Sequence, residues 1–336
     1  MKNILITGGA GFIGSNFIPY FLEKNKALNI INLDALTYAS DINNLKECES
    51  SSRYTFIEGD IRDNNLIKSI FTKFDISGVI HFAAESHVDN SISKPDIFIE
   101  TNINGTFNLI HNAYTHWMNE PFVFKNNFKN SKFLHVSTDE VYGSLGDKGL
   151  FTETTPYAPN SPYSASKASS DMLVRSYRET YGMNTLITNC SNNYGPKQHR
   201  EKLIPKIIHN AVMGDKIPIY GDGKNVRDWL FVLDHCKGID LVFHQGNSGE
   251  VYNIGGKNEK TNIEIVETIC SLLDKKIPKD VSYSKLITFV EDRAGHDRRY
   301  AIDATKIEST LGWRADENFE TGINLTIDWY LDKLKK

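Results

Sequence analysis

A glycine-rich loop near the amino terminus constrains the fold of this 336-residue chain more than any other feature. An apolar run at residues 4–6 is followed by the string GGAGFIG at residues 8–14, and a helical pattern begins there. The spacing Gly9-x-Gly11-x-x-Gly14 lets the backbone approach a pyrophosphate closely and lets a helix pack tightly on its strand. Because helix amino termini stabilise anions, the sequence predicts a dinucleotide site at this first strand–helix turn.

The rhythm of a short apolar strand followed by a helix-like stretch repeats along the first half of the chain. Apolar runs end near residues 33, 57, 82 and 136, a helical stretch covers residues 96–117, and a sixth strand is predicted at residues 185–188. This alternation predicts an α/β fold with a Rossmann-type, doubly wound parallel sheet that binds ligands at the carboxyl ends of its strands.

The alternation fades after residue 196, which predicts a smaller, mixed α/β substrate domain in the carboxyl-terminal part. We place the dinucleotide-binding domain at residues 1–190, with a return segment at residues 225–250. The substrate domain is then formed by residues 191–224 and 251–336.

Composition and charge narrow the class of protein. A net charge of −4 gives no reason to expect nucleic acid or an anionic membrane as a partner. The four cysteines form no CxxC pair, the sequence has no signal-peptide pattern, and no apolar run reaches the length of a membrane helix. From these features we expect a cytoplasmic protein. The ten histidines form no ligand cluster, so we expect no metal site.

An acidic residue at the end of the second strand favours one cofactor over another. Asp34 follows the glycines by about 20 residues, where an acid hydrogen-bonds the adenosine ribose. A carboxylate there repels a 2′-phosphate, so NAD is favoured over NADP. Asp60 and Ile61 follow the third strand and are predicted to reach the adenine, and small residues at 82–86 let the cofactor lie against the backbone.

A tyrosine and a lysine four residues apart supply a candidate base for hydride transfer. Tyr163 and Lys167 share one face of a predicted helix that follows the fifth strand. A free tyrosine has a pKa of about 10, but a nearby ammonium, the oxidised nicotinamide and the helix amino terminus all favour the phenolate. We therefore expect Tyr163 to take the proton of a sugar hydroxyl while the hydride goes to NAD.

Two adjacent carboxyls at the end of the fifth strand indicate more than hydride transfer. Asp139 and Glu140 can serve as an acid and a base for the elimination of water. Adjacent residues of an extended strand point to opposite faces, however. Both side chains can reach one substrate only if the chain leaves the strand by Thr138 and turns.

These strings, with several others, carry a resemblance that runs from the glycine loop almost to the carboxyl terminus. The chain resembles the extended short-chain dehydrogenase/reductase superfamily and, within it, the dTDP-glucose 4,6-dehydratase family. The matching strings are LTYA (36–39), AAESHVD (83–89), STDEVYG (137–143), SNNYGP (191–196), EKLIP (201–205), PIYG (218–221), VRDW (226–229) and GHDRRY (295–300).

The resemblance implies a redox-neutral cycle on one tightly bound NAD. Tyr163, sharing a hydrogen bond with Thr138, would deprotonate the C4 hydroxyl of dTDP-glucose. Glu140 would remove the C5 proton, Asp139 would protonate the leaving C6 hydroxyl, and hydride would return to C6. Two such carboxyls need different pKa values. The family also pairs as a homodimer through the Tyr163 helix and its neighbour.

The resemblance also implies the binding residues. Lys202, Arg227 and Arg293 would contact the nucleotide diphosphate, because cations of this kind grip phosphates. The NAD-binding residues would be Gly8, Gly11, Phe12, Ile13, Gly14, Asp34, Leu36, Thr37, Asp60, Ile61, Phe82, Ala83, Ala84, Ser86, Thr101, Tyr163, Lys167 and Asn193. The substrate-binding residues would be Ser86, His87, Thr138, Asn192, Lys202, Leu203, Pro218, Tyr220, Arg227, Asn262, Arg293, His296 and Tyr300.

The chain departs from the family pattern at two places near the nucleotide end. Ala294 stands where a proline is usual, and KQHR at residues 197–200 replaces a more aromatic stretch. Both departures bear on the identity of the substrate's nucleobase more than on the reaction chemistry.

Four alternatives to this function are considered. UDP-glucose is a second possible substrate of a 4,6-dehydratase. A nucleotide-sugar 4-epimerase or decarboxylase of the same fold would need Tyr163 and NAD, but an epimerase needs no acid/base pair, so Asp139 and Glu140 argue against it. A GDP-mannose dehydratase would usually carry serine at position 139. A non-catalytic NAD-binding sensor should have lost Tyr163, Lys167 or the carboxyls.

Overall fold

The computed structural model describes residues 2–292 and 295–335, which contain fourteen strands and eleven α-helices. In chain order the strands are β1 (Lys2–Thr7), β2 (Leu28–Asp34), β3 (Tyr54–Glu58), β4 (Ile76–His81), β5 (Met118–Glu120), β6 (Val123–Phe124), β7 (Lys132–Thr138), β8 (Thr185–Cys190), β9 (Asn192–Tyr194), β10 (Ile217–Tyr220), β11 (Val226–Phe231), β12 (Val251–Ile254), β13 (Glu259–Thr261) and β14 (Ile287–Val290). The α-helices are α1 (Phe12–Lys24), α2 (Asn64–Phe74), α3 (Val88–Ser93), α4 (Pro95–Phe98), α5 (Thr106–Trp117), α6 (Pro162–Tyr181), α7 (Leu203–Met213), α8 (Val232–Gln245), α9 (Asn262–Lys276), α10 (Thr305–Leu311) and α11 (Phe319–Leu334). Short 3₁₀ segments lie at Ile42–Cys48, Asn126–Phe128, Asp139–Tyr142 and Tyr283–Leu286, and a π-helical segment lies at Ile99–Gly105.

Seven parallel strands form the main sheet, in the order β12-β8-β7-β4-β1-β2-β3. This confirms the predicted doubly wound, Rossmann-type fold. The strand order reverses beside β1, which pairs with β2 on one side and β4 on the other. Open parallel sheets bind ligands at such a switch point, outside the carboxyl ends of the strands.

The two faces of this sheet carry separate hydrophobic layers. Along β1, Ile4 and Ile6 pack on one face with Phe17 and Phe21 of α1, whereas Leu5 packs on the other face with residues of α2 and α5. Alternate residues of a strand point to opposite faces, so a strand covered on both sides must be apolar throughout. This requirement explains the uninterrupted apolar run that marks β1 in the sequence.

A second hydrophobic core lies in the carboxyl-terminal part of the chain. Helices α7, α9 and α11 pack around it, and the smaller sheets β10-β14 and β13-β11-β9 lie there. Strand β11 joins the two parts, because Leu230 packs in the core beside α1 while Trp229 and Phe231 pack in the second core. The two-domain division stays a prediction.

The return to the main sheet includes more of the chain than residues 225–250. Helix α8 packs against α1, and β12, which falls in the range predicted for the substrate domain, forms the edge strand beside β8. Among the described residues, no helix has the length and apolar character needed to cross a bilayer. All four cysteines are unpaired and buried.

The helix predicted at residues 96–117 is interrupted by the π-helical segment. Asn102 lies in this segment, and its side chain accepts a hydrogen bond from the Glu85 amide (2.8 Å) and donates to the Glu85 carbonyl (3.0 Å) and to Ser166 Oγ (2.8 Å). A side chain held in this way accounts for the widened turn, and such π-bulges are frequent at functional sites.

We predict that replacing the fully buried Leu5 by alanine lowers the free energy of unfolding by about 2–5 kcal/mol, because the substitution leaves a cavity beneath the central strand. The matched control is Leu325→Ala on α11, whose side chain is 49% exposed and whose loss should cost less than about 1 kcal/mol. Urea unfolding followed by circular dichroism measures both changes. Equal losses in the two variants would contradict this account of the core.

Candidate active site

The glycine loop between β1 and α1 has the geometry of an anion cradle. Gly8 has a φ of +73°, and a Cβ there would lie 2.6 Å from the Ala83 nitrogen. A Cβ on Gly14 would lie 2.4 Å from the Gly8 carbonyl oxygen. Helix α1 begins without a side-chain cap, so its first amide groups point toward the space that a phosphate would fill. The residues present therefore fit the pyrophosphate of a dinucleotide.

Asp34 connects this loop to the end of β2. Its carboxylate accepts hydrogen bonds from the Ala10 amide (2.8 Å), the Leu36 amide (2.8 Å) and the Ser40 hydroxyl (3.0 Å). A carboxylate can accept about four hydrogen bonds, so one acceptor position remains for a ribose hydroxyl. Asp60, after β3, forms an ion pair with Arg62, which the sequence analysis did not single out.

A cavity of about 430 Å³ extends from the glycine loop past the ends of β1, β2 and β4 to the ends of β7 and β8. Every predicted NAD-binding residue except Leu36 lines it, as do the five predicted catalytic residues Thr138, Asp139, Glu140, Tyr163 and Lys167. Of the predicted substrate contacts, Ser86, Thr138, Asn192 and Lys202 line it. Arg62, Glu85, Gln198, His199 and Glu201 also line it and were not predicted.

The chain turns where an elimination by Asp139 and Glu140 requires it to turn. Strand β7 ends at Thr138, and Asp139–Tyr142 forms a 3₁₀ turn. The Thr138 hydroxyl starts this turn by accepting a hydrogen bond from the Glu140 amide (3.3 Å). Asp139 and Glu140 therefore both face the cavity instead of pointing to opposite sides of the sheet.

Asp139 has the properties of a general acid. Its side chain is buried, and burial together with the nearby carboxylates of Glu140 and Asp228 holds its pKa well above the ordinary value. Its Oδ2 atom has no hydrogen-bond partner among the described residues, although it is buried. An acid whose pKa is raised in this way and whose second oxygen is unsatisfied is suited to protonate a leaving hydroxyl.

Tyr163 lies in the first turn of α6. Ser161 and Ser164 form a capping box that fixes the start of this helix, with Pro162 in its first turn. Burial and the charge of Glu140 raise the pKa of Tyr163 well above its ordinary value, against a hydrogen bond with Thr138 that lowers it. Burial therefore favours the neutral phenol in the chain by itself, and the phenolate expected beside an oxidised nicotinamide stays a prediction.

Lys167 is held by groups behind the cavity. Its Nζ atom donates to the Val136 carbonyl (2.9 Å) and lies 3.3 Å from His135 Nε2, which lies 3.3 Å from Asp171 Oδ1. Asp171 Oδ2 accepts hydrogen bonds from Ser137 Oγ and from the Tyr157 hydroxyl, each at 2.9 Å.

Burial controls the charges of this group. It lowers the pKa of Lys167 to about 8, against the attraction of Asp171, and raises the pKa of Asp171 to about 6. Burial and the charge of Lys167 hold the pKa of His135 well below its ordinary value, so the imidazole is neutral.

This buried group was not predicted, although the sequence contains two signals for it. Asp171 follows Lys167 by four residues on α6, so the two side chains share a helix face. His135 precedes Ser137 by two residues on β7, so both point to the same side of the sheet.

The remaining predicted substrate residues that the structure describes lie outside the cavity wall. His87 precedes α3, Leu203 begins α7, Asn262 begins α9, and Pro218 and Tyr220 belong to β10. The rings of Tyr220 and His296 contact each other edge to face, with their centroids 6.4 Å apart. Arg293 lies outside the described residues, as does Ala294.

Arg227 is one of these predicted substrate residues outside the cavity wall. Its guanidinium lies 4.2 Å from the ring centroid of Tyr300 and donates hydrogen bonds to the carbonyls of Val226 (2.7 Å) and Asp297 (2.9 Å). The charge of Glu140 contributes to raising the pKa of Tyr300, after burial, and Arg227 contributes a lowering of the pKa of Asp139. The group that includes Arg227 and Tyr300 therefore adjoins the carboxyl pair.

No group of three or more His, Cys, Asp or Glu side chains within residues 2–292 and 295–335 is placed to hold a metal ion.

Comparison with known proteins gives the same assignment. A family model described as GDP-mannose 4,6 dehydratase matches residues 5–326. A dTDP-glucose 4,6-dehydratase of Xanthomonas campestris pv. campestris (strain B100) is 52% identical over 98% of this chain and 93% of its own. The dTDP-glucose 4,6-dehydratase 1 of Escherichia coli (strain K12) is also 52% identical, over 99% of this chain and 93% of its own.

Solved structures agree in fold. A dTDP-glucose 4,6-dehydratase from Bacillus anthracis, in complex with NAD, matches with a TM-score of 0.87 and 47% identity over 100% of this chain and 98% of that one. A UDP-glucose 4-epimerase from Thermotoga maritima matches with a TM-score of 0.86 and 27% identity over 99% of this chain and 100% of that one. The chain therefore belongs to the family described as GDP-mannose 4,6 dehydratase, and the relatives that match it at about 52% identity over nearly its whole length are dTDP-glucose 4,6-dehydratases.

Proposed function

We propose that the protein converts dTDP-glucose to dTDP-4-keto-6-deoxyglucose and water, with one tightly bound NAD that is recycled in each turnover. The observation that carries this proposal is the carboxyl pair, Asp139 and Glu140, which lies beside Tyr163 in the cavity of the glycine loop. Hydride transfer alone needs no such pair, whereas elimination of water needs both an acid and a base.

Each side chain has a defined task in this reaction. Tyr163, assisted by Thr138 and Lys167, takes the proton of the C4 hydroxyl. The resulting C4 ketone makes the C5 hydrogen acidic, and Glu140 removes it and later returns it. Asp139 protonates the C6 oxygen, which leaves as water, and its raised pKa supports this role. Bound NAD would supply the hydride chemistry, accepting from C4 and returning to C6.

The binding residues keep the roles given by the family resemblance. We propose that Lys202, Arg227 and Arg293 neutralise the nucleotide diphosphate, and that Asn192 and Asn262 contact the substrate. Lys202 donates a hydrogen bond to the Ser86 carbonyl (3.0 Å), which supports a place at the substrate end of the cavity.

The protein is also proposed to act as a homodimer in the cytoplasm. The family resemblance carries this proposal, and helices α5 and α6, through which the pairing would occur, expose Phe107 (44%) and Met172 (50%).

The test of the proposed reaction uses purified protein with no added cofactor. It is incubated separately with dTDP-glucose, UDP-glucose and GDP-mannose, and the masses of the products are measured by mass spectrometry. Loss of one water from dTDP-glucose alone is the expected result. Loss from UDP-glucose as well would broaden the substrate class, and isomerisation at unchanged mass would indicate a 4-epimerase.

We predict that Tyr163→Phe lowers turnover by about 10²–10⁴-fold, because the C4 proton loses its acceptor. Binding of the nucleotide sugar should survive, since the ring remains. Calorimetric titration with dTDP-glucose and a turnover assay measure the two effects. Full activity of this variant would refute the role of the phenol.

We predict that Glu140→Gln oxidises C4 but fails to eliminate water, so that reduced cofactor accumulates on the enzyme. The amide cannot take the C5 proton, while Tyr163 still accepts the C4 proton. The near-ultraviolet absorbance of reduced nicotinamide after mixing with dTDP-glucose measures this accumulation. An unreduced cofactor in an otherwise inactive variant would contradict the assignment of the base.

We predict that Asp171→Asn shifts the alkaline limb of the pH profile of kcat/KM to lower pH. The Asp171 carboxylate raises the pKa of Lys167, which burial lowers to about 8, so its loss makes the ammonium titrate earlier. The control is Glu179→Gln, the same change at an exposed position of the same helix. An unmoved limb, or a limb moved to higher pH, would contradict the role of Lys167 as a cation.

A further inference from the structure

The proposed reaction leaves two protons on different groups from those on which they began. In each turnover Tyr163 gains the proton of the C4 hydroxyl, and Asp139 loses a proton to the water that leaves from C6. The proton of C5 makes no net change, because Glu140 removes it and returns it. The next turnover therefore requires one proton to pass from Tyr163 to Asp139. This argument rests on the proposed function.

Burial makes an internal route for this proton favourable. The relative exposures are 9% for Tyr163, 8% for Thr138 and 1% for Asp139. Exchange with bulk water is thus restricted at each of these groups, and a bound substrate would restrict it further. A route between the two groups through protein atoms avoids this restriction.

The Thr138 hydroxyl adjoins both groups. Thr138 Oγ1 lies 3.5 Å from Asp139 Oδ1, at the outer limit of a hydrogen bond, and both residues line the cavity beside Tyr163, whose pKa an interaction with Thr138 lowers. The Thr138 hydroxyl also accepts a hydrogen bond from the Glu140 amide, which fixes its position at the end of β7. A hydroxyl has one hydrogen and two acceptor lone pairs, so it can face Tyr163 and Asp139 in turn.

We propose that Thr138 is the proton relay that resets the active site between turnovers. Its oxygen accepts the proton of the Tyr163 hydroxyl while its own hydrogen passes to Asp139 Oδ1. One O–H bond breaks and one forms at each step, nothing is oxidised or reduced, and the hydroxyl of Thr138 is restored. The products are a phenolate at position 163 and a neutral acid at position 139.

The electrostatics of the site are compatible with this transfer. One negative charge moves from Asp139 to Tyr163, so the number of buried charges does not change. Burial and the charge of Glu140 raise the pKa of both groups, and these two effects therefore act on both sides of the exchange. The terminal torsion of an aspartate is two-fold, so half a turn then carries the new proton to the Oδ2 position.

The test compares a first turnover with later ones in Thr138→Val, which removes the hydroxyl at nearly constant shape, and in Thr138→Ser, which keeps it. The amount of product formed from dTDP-glucose is measured after rapid quenching, first with enzyme in excess and then with substrate in excess. Both variants can slow the first turnover, because Thr138 also supports Tyr163. Each variant is therefore compared with its own first turnover.

In Thr138→Val we expect a burst of one product per active site, followed by turnover at least about 10-fold slower than the first, in the range of a lost proton-transfer group. In Thr138→Ser the first and later turnovers should proceed at similar rates. The later turnovers of the valine variant should slow further in deuterium oxide. Retained NAD and an unchanged unfolding midpoint verify that this variant is folded.

Two results would overturn the relay. The first is a valine variant whose first turnover is as slow as its later ones, which would limit Thr138 to supporting Tyr163. The second is a burst without a solvent isotope effect on later turnovers, which would indicate slow product release. Failure of the unmodified protein to dehydrate dTDP-glucose would instead refute the proposed function, so the two failures are distinguishable.

Discussion

Burial of ionisable groups at the carboxyl end of the parallel sheet is the constraint on which the active site depends. The groups buried in this region are the ammonium of Lys167, the phenol of Tyr163 and the carboxyls of Asp139, Asp171 and Asp228. Burying such groups is costly unless each has a partner. The ammonium of Lys167 has a backbone carbonyl, a neutral imidazole and the Asp171 carboxylate around it. Asp139, in contrast, has a pKa well above its ordinary value, because burial and the nearby carboxylates disfavour its charged form.

The same constraint explains why adjacent carboxyls can have different chemistry. Asp139 is buried at the base of the turn, and burial with the charges of Glu140 and Asp228 holds its pKa well above the ordinary value. Glu140 is less buried and faces the same cavity. The 3₁₀ turn that follows Thr138 produces this difference, because it brings two neighbouring residues to one cavity at different depths. A regular strand would have placed one of them on the far side of the sheet.

Features of the site that depend on short sequence patterns could be predicted. The glycine loop, Asp34 and the Tyr163–Lys167 pair each follow from spacing within one strand–helix unit, and the cavity brings them together. The contacts of His135 and Asp171 with Lys167 could not be predicted in the same way, because they join side chains of two elements across the sheet. The π-helical turn at Asn102 depends on a contact with Glu85, seventeen residues earlier in the chain. The rise that burial causes in the pKa of Tyr163 could not be predicted either, because spacing does not report burial.

Strand β11 has a consequence for how the molecule comes apart. Its alternate side chains belong to two hydrophobic cores, with Leu230 in one and Trp229 and Phe231 in the other. Unfolding of either core would remove the side-chain packing from one face of this strand and would destabilise the packing on its opposite face. The unfolding of the two cores should therefore be coupled through this strand, so that loss of one core lowers the stability of the other.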